Sequence, residues 1–310
     1  MTKTKKQHYV PQFLLRRFAS HSKKNPQLWV LDKKTNNLRL SSVRDSGHEN
    51  QFYKYSHTDG VQIDLEPLMA DIDSAGSSLV KKILATNMIP SSSDDMAILA
   101  IFLACQMYRT PMVRNDMENF RKMIVHKWGP NIRMSETEKP IGEYGPEDAK
   151  LSSLLSIQDV PEFAELLLSK VWTLVQAPSR YPFIIGDNPV VRHNMIDRGP
   201  RGNLGINNTG IEVYMPLSPA ISIHILCPTL ADAVSRTPGL AEDFHVAMSN
   251  GTPMKLLQEN VEFANSLQVI WAERFVYGKE RHHLDIPVDM LRTNPELAVG
   301  PGVRPRPDEG

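Results

Sequence analysis

Between Met96 and Met107 the chain runs almost unbroken through apolar residues. A helix that is apolar on every face has to be enclosed by other elements rather than laid on a surface. Ser91 to Ser93 offer caps for it, and Asp94 and Asp95 suit the positive end of its dipole. The segment therefore predicts a central buried helix, and the rest of the chain has to supply its walls. One wall is written from Ile63 to Ala85, where Leu65, Leu68, Met69, Ile72, Leu79, Val80 and Ile83 recur at spacings of three, four and seven. That is an amphipathic helix, loosened around Gly76. Helical spacing also marks Val160 to Ser169 and Met254 to Ala272. Pro11 is placed to begin a short helix through Phe18 that buries Leu14, Leu15 and Phe18.

Strand composition appears early only around Leu28-Trp29-Val30-Leu31 and Asn37-Leu38-Arg39-Leu40, which flank turn chemistry at residues 32–36 and read as a hairpin. After Ser169 it becomes frequent: Val171 to Val175, Phe183-Ile184-Ile185, Glu212 to Met215, Ile221 to Leu226 and Phe275-Val276-Tyr277. The expected fold class is α+β: a helix-rich amino-terminal half with a small hairpin, packed on a strand-containing carboxy-terminal half. Residues 6–290 are expected to form one domain. Residues 129–145 are expected to form an exposed excursion or a join between the halves, 203–210 a mobile loop, and 291–310, rich in Pro, Gly and charge, a disordered tail.

Lys plus Arg and Asp plus Glu number 35 each, so no global field attracts nucleic acid, and any such contact must be local. The basic Lys3, Lys5, Lys6, Arg16 and Arg17 would supply it, or would simply be a solvated end. Cys105 and Cys227 stand in apolar runs, which argues against a disulfide framework or thiolate zinc site and fits a reducing compartment. With no run of about 18 apolar residues, the chain is expected to be cytoplasmic, with no membrane partner.

The opening Gln7-His8-Tyr9-Val10-Pro11-Gln12-Phe13-Leu14-Leu15-Arg16-Arg17-Phe18-Ala19 resembles the signature of a bacterial family known as domain of unknown function 4238. The likeness continues through Leu28-Trp29-Val30, Asp32-Lys33, Glu49-Asn50-Gln51-Phe52-Tyr53, the acidic helix from Leu65-Glu66, Gln106-Met107-Tyr108-Arg109-Thr110-Pro111, Trp172 and Gly186-Asp187-Asn188-Pro189-Val190. It spans roughly Lys6 to Tyr277. The family more often has Ser or Thr where this chain has Gly186, so a hydroxyl role there is absent. The resemblance implies one domain and carries no established activity.

Four groups of residues are suited to chemistry. His8 can act as general base, metal ligand or phosphate donor, or can lock the first strand by bonding to backbone. Glu49, after the turn Asp45-Ser46-Gly47-His48, can bind a hard cation or activate water, or can be a solvated carboxylate. Gln106 and Arg109 share a helix face at spacing three, where Arg109 can fork onto phosphate or can pin the helix end through an acidic partner. Asp187 and Asn188 follow an apolar strand; they can present a metal ligand and a carbonyl-binding amide, or close an Asx turn. Adjacent His282 and His283 would point apart in a strand and could meet a metal only where the chain bends. Phosphate-cradling glycine loops, His-Glu-x-x-His helices and nucleophile elbows are not found.

The reading that joins these residues is a metal-assisted hydrolase acting on a phosphodiester or nucleotide, with His8, Glu49 and Asp187 catalytic, Gln106, Arg109 and Asn188 binding substrate, and a divalent metal as cofactor. The alternative is a non-catalytic sensor or interaction module whose polar motifs form a saturated structural network.

Overall fold

The computed structural model describes residues 6–20, 24–56, 60, 62–135, 138–196 and 203–301. In chain order it begins with β1 (Lys6–His8), α1 (Gln12–Leu15), the hairpin β2 (Gln27–Asp32) and β3 (Asn37–Ser42), then β4 (His48–Asn50), β5 (Lys54–Ser56) and β6 (Gln62–Asp64). The helices α2 (Glu66–Thr86), α3 (Ser93–Tyr108), α4 (Pro111–Trp128), α5 (Pro146–Leu155) and α6 (Val160–Leu168) follow. The remainder is β7 (Val171–Gln176), β8 (Ile185–Gly186), β9 (Val191–Asn194), β10 (Ile211–Pro216), β11 (Ile221–Leu226), α7 (Pro228–Arg236), α8 (Ala241–Asn250), β12 (Met254–Lys255), α9 (Gln258–Trp271), β13 (Phe275–Gly278) and α10 (Asp285–Thr293).

The fold is α+β, but its strands are not confined to one half. Two larger sheets run β12-β7-β11-β10-β9 and β3-β2-β13-β8, and two strand pairs, β1-β4 and β5-β6, lie outside them. The early hairpin is thus half of a sheet completed by β13 and β8, from more than a hundred residues later. The expected helix from Met254 begins only at Gln258; Met254 and Lys255 instead pair parallel with β7. Of the stretch expected as a disordered tail, residues 291–301 are described: they carry the end of α10 and a 3-10 turn, Pro295–Ala298, with Leu297 packed on a buried apolar cluster. Residues 302–310 lie outside the described residues, as do 197–202 beside the expected mobile loop.

The apolar helix α3 sits as its composition requires, with Leu99, Ala100, Phe102, Leu103, Ala104, Cys105 and Gln106 fully buried. Gly76 does not loosen α2. It lets Phe102 lie against the helix backbone, since a Cβ there would be 2.5 Å from the ring, which is well inside van der Waals contact. One apolar cluster runs through residues from Tyr9 to Tyr277 and so joins both halves. Lys33, in the hairpin turn, is also buried, and its Nζ donates to the carbonyls of Val269 (2.7 Å) and Ala272 (2.5 Å). It closes the carboxy-terminal end of α9, where unsatisfied carbonyls attract a cation. Among the described residues no single helix is long and apolar enough to cross a membrane.

His224 on β11 is buried between Tyr214 and Phe183, with ring centroids 4.4 and 6.5 Å away. Its Nε2 has no hydrogen-bond partner, and burial pulls its pKa down to about 3. Because this lies below the unfolded value of about 6.5, the residue stabilises the fold fully above that value, and the contribution is lost as pH falls toward 3. From pH 7 to pH 5 the loss should be about 2 kcal/mol. Urea unfolding of the wild type and H224F at both pH values checks this; equal pH slopes for the two proteins would remove the assignment.

Candidate functional site

Because β1 pairs antiparallel with β4, Gln7 lies opposite Glu49 and His8 opposite His48. Side chains alternate along a strand, so Gln7 turns inward and its Oε1 accepts the Tyr53 main-chain N–H at 2.7 Å. The Tyr53 hydroxyl donates to the His8 carbonyl at 2.9 Å. The next carbonyl, that of Tyr9, accepts from Gln106 Nε2 at 2.8 Å. Arg109 Nε donates to Gln106 Oε1 at 2.9 Å, and Arg109 Nη2 reaches Asp73 Oδ1 on α2 at 2.5 Å. His8, Gln106 and Arg109 are thereby drawn together by one bonded path from β1 through α3 to α2. The Arg109 side chain is fully buried, while that of Asp73 keeps 27% of its surface open. Burial raises the Asp73 pKa, and Arg109 pulls against it.

Over the outer edge of this path opens a cleft of about 320 Å³ between β1, α1 and α2, with His8, Gln12, Tyr53, Glu66, Asp73 and Ser77 among its walls. His8 Nδ1 lies 3.5 Å from Gln12 Nε2, and its Nε2 is buried without a partner. Burial and, next, His48 pull its pKa down to about 4 against the main chain of Arg44 and Val43, so the ring is neutral at pH 7. Its ring centroid is 5.3 Å from that of His48. Glu66 has its pKa raised by burial first and then by Asp64 and Asp73, with Lys54 and Arg109 in opposition. Residues 66 and 73 are two helical turns apart, so both carboxylates face the same side of α2.

The other predicted residues are not among the cleft's walls. Glu49 grips Arg114 of α4 with both oxygens, at 2.8 and 2.9 Å, and the guanidinium lies 5.4 Å from the centre of the Phe52 ring. Asp187, just after β8, accepts the main-chain N–H groups of Glu273, Arg274 and Phe275 at 2.7, 2.8 and 2.8 Å. It ties β8 to the start of β13, and its own N–H donates to the Phe275 carbonyl. Asn188 Nδ2 points to Met112 Sδ (3.2 Å) and the Trp271 carbonyl (3.4 Å), while its Oδ1 is unpartnered. Before them, a Cβ on Gly186 would stand 2.8 Å from the Gln268 carbonyl of α9. The closeness of that helix is why the position carries no side chain.

Tyr9 stands between the two groups. Its carbonyl is held by Gln106, and its phenol is pushed well above the ordinary range by burial first, then by Tyr277, Asp187 and Glu49. Of the basic leader, Lys6 pairs with Asp45 and Arg16 with Gln12; Lys3 and Lys5 lie outside the described residues.

Sequence reasoning passed over Asp73, Glu66, Gln12, Tyr53 and His48 as site residues. Asp73 had a signal. The buried stripe of α2 is Met69, Gly76, Leu79, Val80 and Ile83, and position 73 completes its three- and four-residue spacing with a carboxylate, which a stripe facing the core accepts only with a partner. No curated protein and no solved structure matches the chain. Residues 6–282 match the family model described as Protein of unknown function (DUF4238), and the chain therefore belongs to that family.

Proposed function

We propose that the protein is a metal-assisted hydrolase of phosphodiesters or nucleotides, and that its active site is the cleft between β1 and α2. One observation carries the reading: Glu66 and Asp73, both with raised pKa values, face the same open cleft as a neutral His8 whose Nδ1 lies beside Gln12 in its wall. Carboxylates that repel one another gain from a cation between them. Magnesium or manganese needs only one or two carboxylates, completing its shell with water and substrate phosphate oxygens. In this reading Glu66 and Asp73 would hold the metal, which would make a bound water more acidic, and His8 would take the proton from that water through Nδ1. Gln12 and Ser77 orient the substrate. Arg109 positions Asp73 instead of touching phosphate, because its side chain is fully buried, with Nε on Gln106, Nη2 on Asp73 and Nη1 toward Met69 Sδ. Glu49 and Asp187, engaged by Arg114 and by three main-chain N–H groups, serve as scaffold. The same reading takes residues 6–290 as one domain, working in a cytoplasm where the buried thiols of Cys105 and Cys227 stay reduced.

With Mn²⁺ and bis-p-nitrophenyl phosphate or nucleoside triphosphates as substrates, H8A is expected to lower kcat by roughly 10²–10⁴-fold. E66Q should weaken Mn²⁺ activation. Turnover unchanged in H8A and E66Q would overturn the proposal, as would absence of both turnover and Mn²⁺ binding. The hydrogen-bonded Gln106–Arg109–Asp73 path favours a second reading, a sensor or interaction module. Ligand binding in the cleft without turnover by any of these substrates would establish it.

A further inference from the structure

β13 ends at Gly278, and the chain turns at once into a 3-10 helix over Arg281–Leu284. We propose that Glu280, His282 and His283 form a surface site for a borderline divalent transition metal such as Zn²⁺. Neighbouring side chains in a strand point to opposite faces, but in a 3-10 helix they are about 120° apart, so the turn gathers what a strand would separate. The two imidazole rings meet edge to face with centroids 4.5 Å apart, and His282 Nδ1 lies 3.4 Å from Glu280 Oε2. One ligand atom from each of the three residues lies within 4.8 Å of the other two.

The backbone beneath is fixed. The His283 N–H donates to the Glu280 carbonyl at 3.2 Å, and Leu284 is fully buried in the cluster beneath α10. His283 Cβ closes over Gly278, which leaves it only 3.2 Å from where a Cβ would stand. His283 Nδ1 is buried without a hydrogen-bond partner, a position a coordinate bond would fill. Two imidazoles and a carboxylate are a zinc donor set with at least one position left to water. The flanking charges of Lys279 and Arg281 weaken any cation held by charge alone; Arg281 is 3.9 Å from Asp285. Ligands that bond through nitrogen therefore favour Zn²⁺, Co²⁺ or Ni²⁺ over Mg²⁺.

The test is a Co²⁺ titration of the full chain in excess Mg²⁺, which occupies oxygen-only sites. One equivalent should bind with visible ligand-field bands, displaced by Zn²⁺, and Zn²⁺ should raise the unfolding midpoint because the site exists only in the fold. H282Q and E280Q alter exposed side chains and should each weaken Co²⁺ binding by about tenfold or more, while E66Q leaves it unchanged. A silent titration, or bands that persist in H282Q and E280Q, would overturn the site. Loss of the bands in E66Q would assign them to the cleft, with the same result for this proposal.

Discussion

Replacing Arg109 with methionine is expected to destabilise the protein by about 3–4 kcal/mol, because removal of one partner from a buried pair leaves the other charge uncompensated. The side chain is fully enclosed and serves two acceptors at once, Gln106 Oε1 and Asp73 Oδ1. Its loss strands both, and with Gln106 it loosens the hold on the Tyr9 carbonyl. Asp73 is partly open, so water recovers some of the charge and the effect stays at the lower end of what buried pairs show. Because the pair's net worth is small compared with the damage of halving it, R109M combined with D73L should recover most of the loss. Urea unfolding of the two single variants and the double variant decides it. A loss under about 1 kcal/mol for R109M, or a double variant equal to the sum of the singles, would mean that the pair is not the keystone drawn above. The prediction is independent of catalysis: it holds whether the cleft hydrolyses a substrate or only binds one.

This pair also marks where sequence reasoning stops. The spacing of Gln106 and Arg109 placed both on one helix face, and the apolar run before them placed that face in the interior; both are local properties and the structure has both. What Arg109 touches is not local. Asp73 is 36 residues away on another helix, and nothing in either segment alone pairs them. The same distinction separates the strands. β11, with five of its six residues buried, was legible end to end, since a buried strand with turn residues at each end announces itself. β8 is two residues long and exists because β13, ninety residues later, lies beside it. Leu256 and Leu257 extend the spacing of α9 backwards over β12, yet pairing with β7 overrides that local pattern. The ordered motifs of the family resemblance acquire physical sense only in three dimensions. The opening motif meets the Gln106 motif where Gln106 donates to the Tyr9 carbonyl, and Asp187 of the Gly186-to-Val190 motif reaches the main chain at the start of β13.

Asp187 carries the other large effect, and its size depends on pH. Its carboxylate accepts three main-chain N–H groups, so D187A leaves three donors without their acceptor, at about 1 kcal/mol or more each; a loss of about 3 kcal/mol is expected at pH 7. Yet burial outweighs the three donors and Lys33, and the pKa is pushed up to about 6. A carboxyl whose folded pKa lies above its unfolded value stabilises the fold fully below the unfolded value, and that contribution disappears as pH rises through about 6. The wild type therefore gains on acidification what D187A cannot gain, and the difference between them should be about 2 kcal/mol larger at pH 4.5 than at pH 7. This runs opposite to the histidine contribution of His224, so the wild-type profile alone partly hides both, and the D187A and H224F profiles have to be measured separately. Unfolding curves at the two pH values, paired with Mn²⁺ titration of folded D187A, separate scaffold from ligand. A scaffold residue leaves Mn²⁺ affinity unchanged while stability falls and the gap widens in acid. A metal ligand would lose Mn²⁺ affinity at full stability, and that result would return Asp187 to the catalytic set and move the active site away from the β1–α2 cleft.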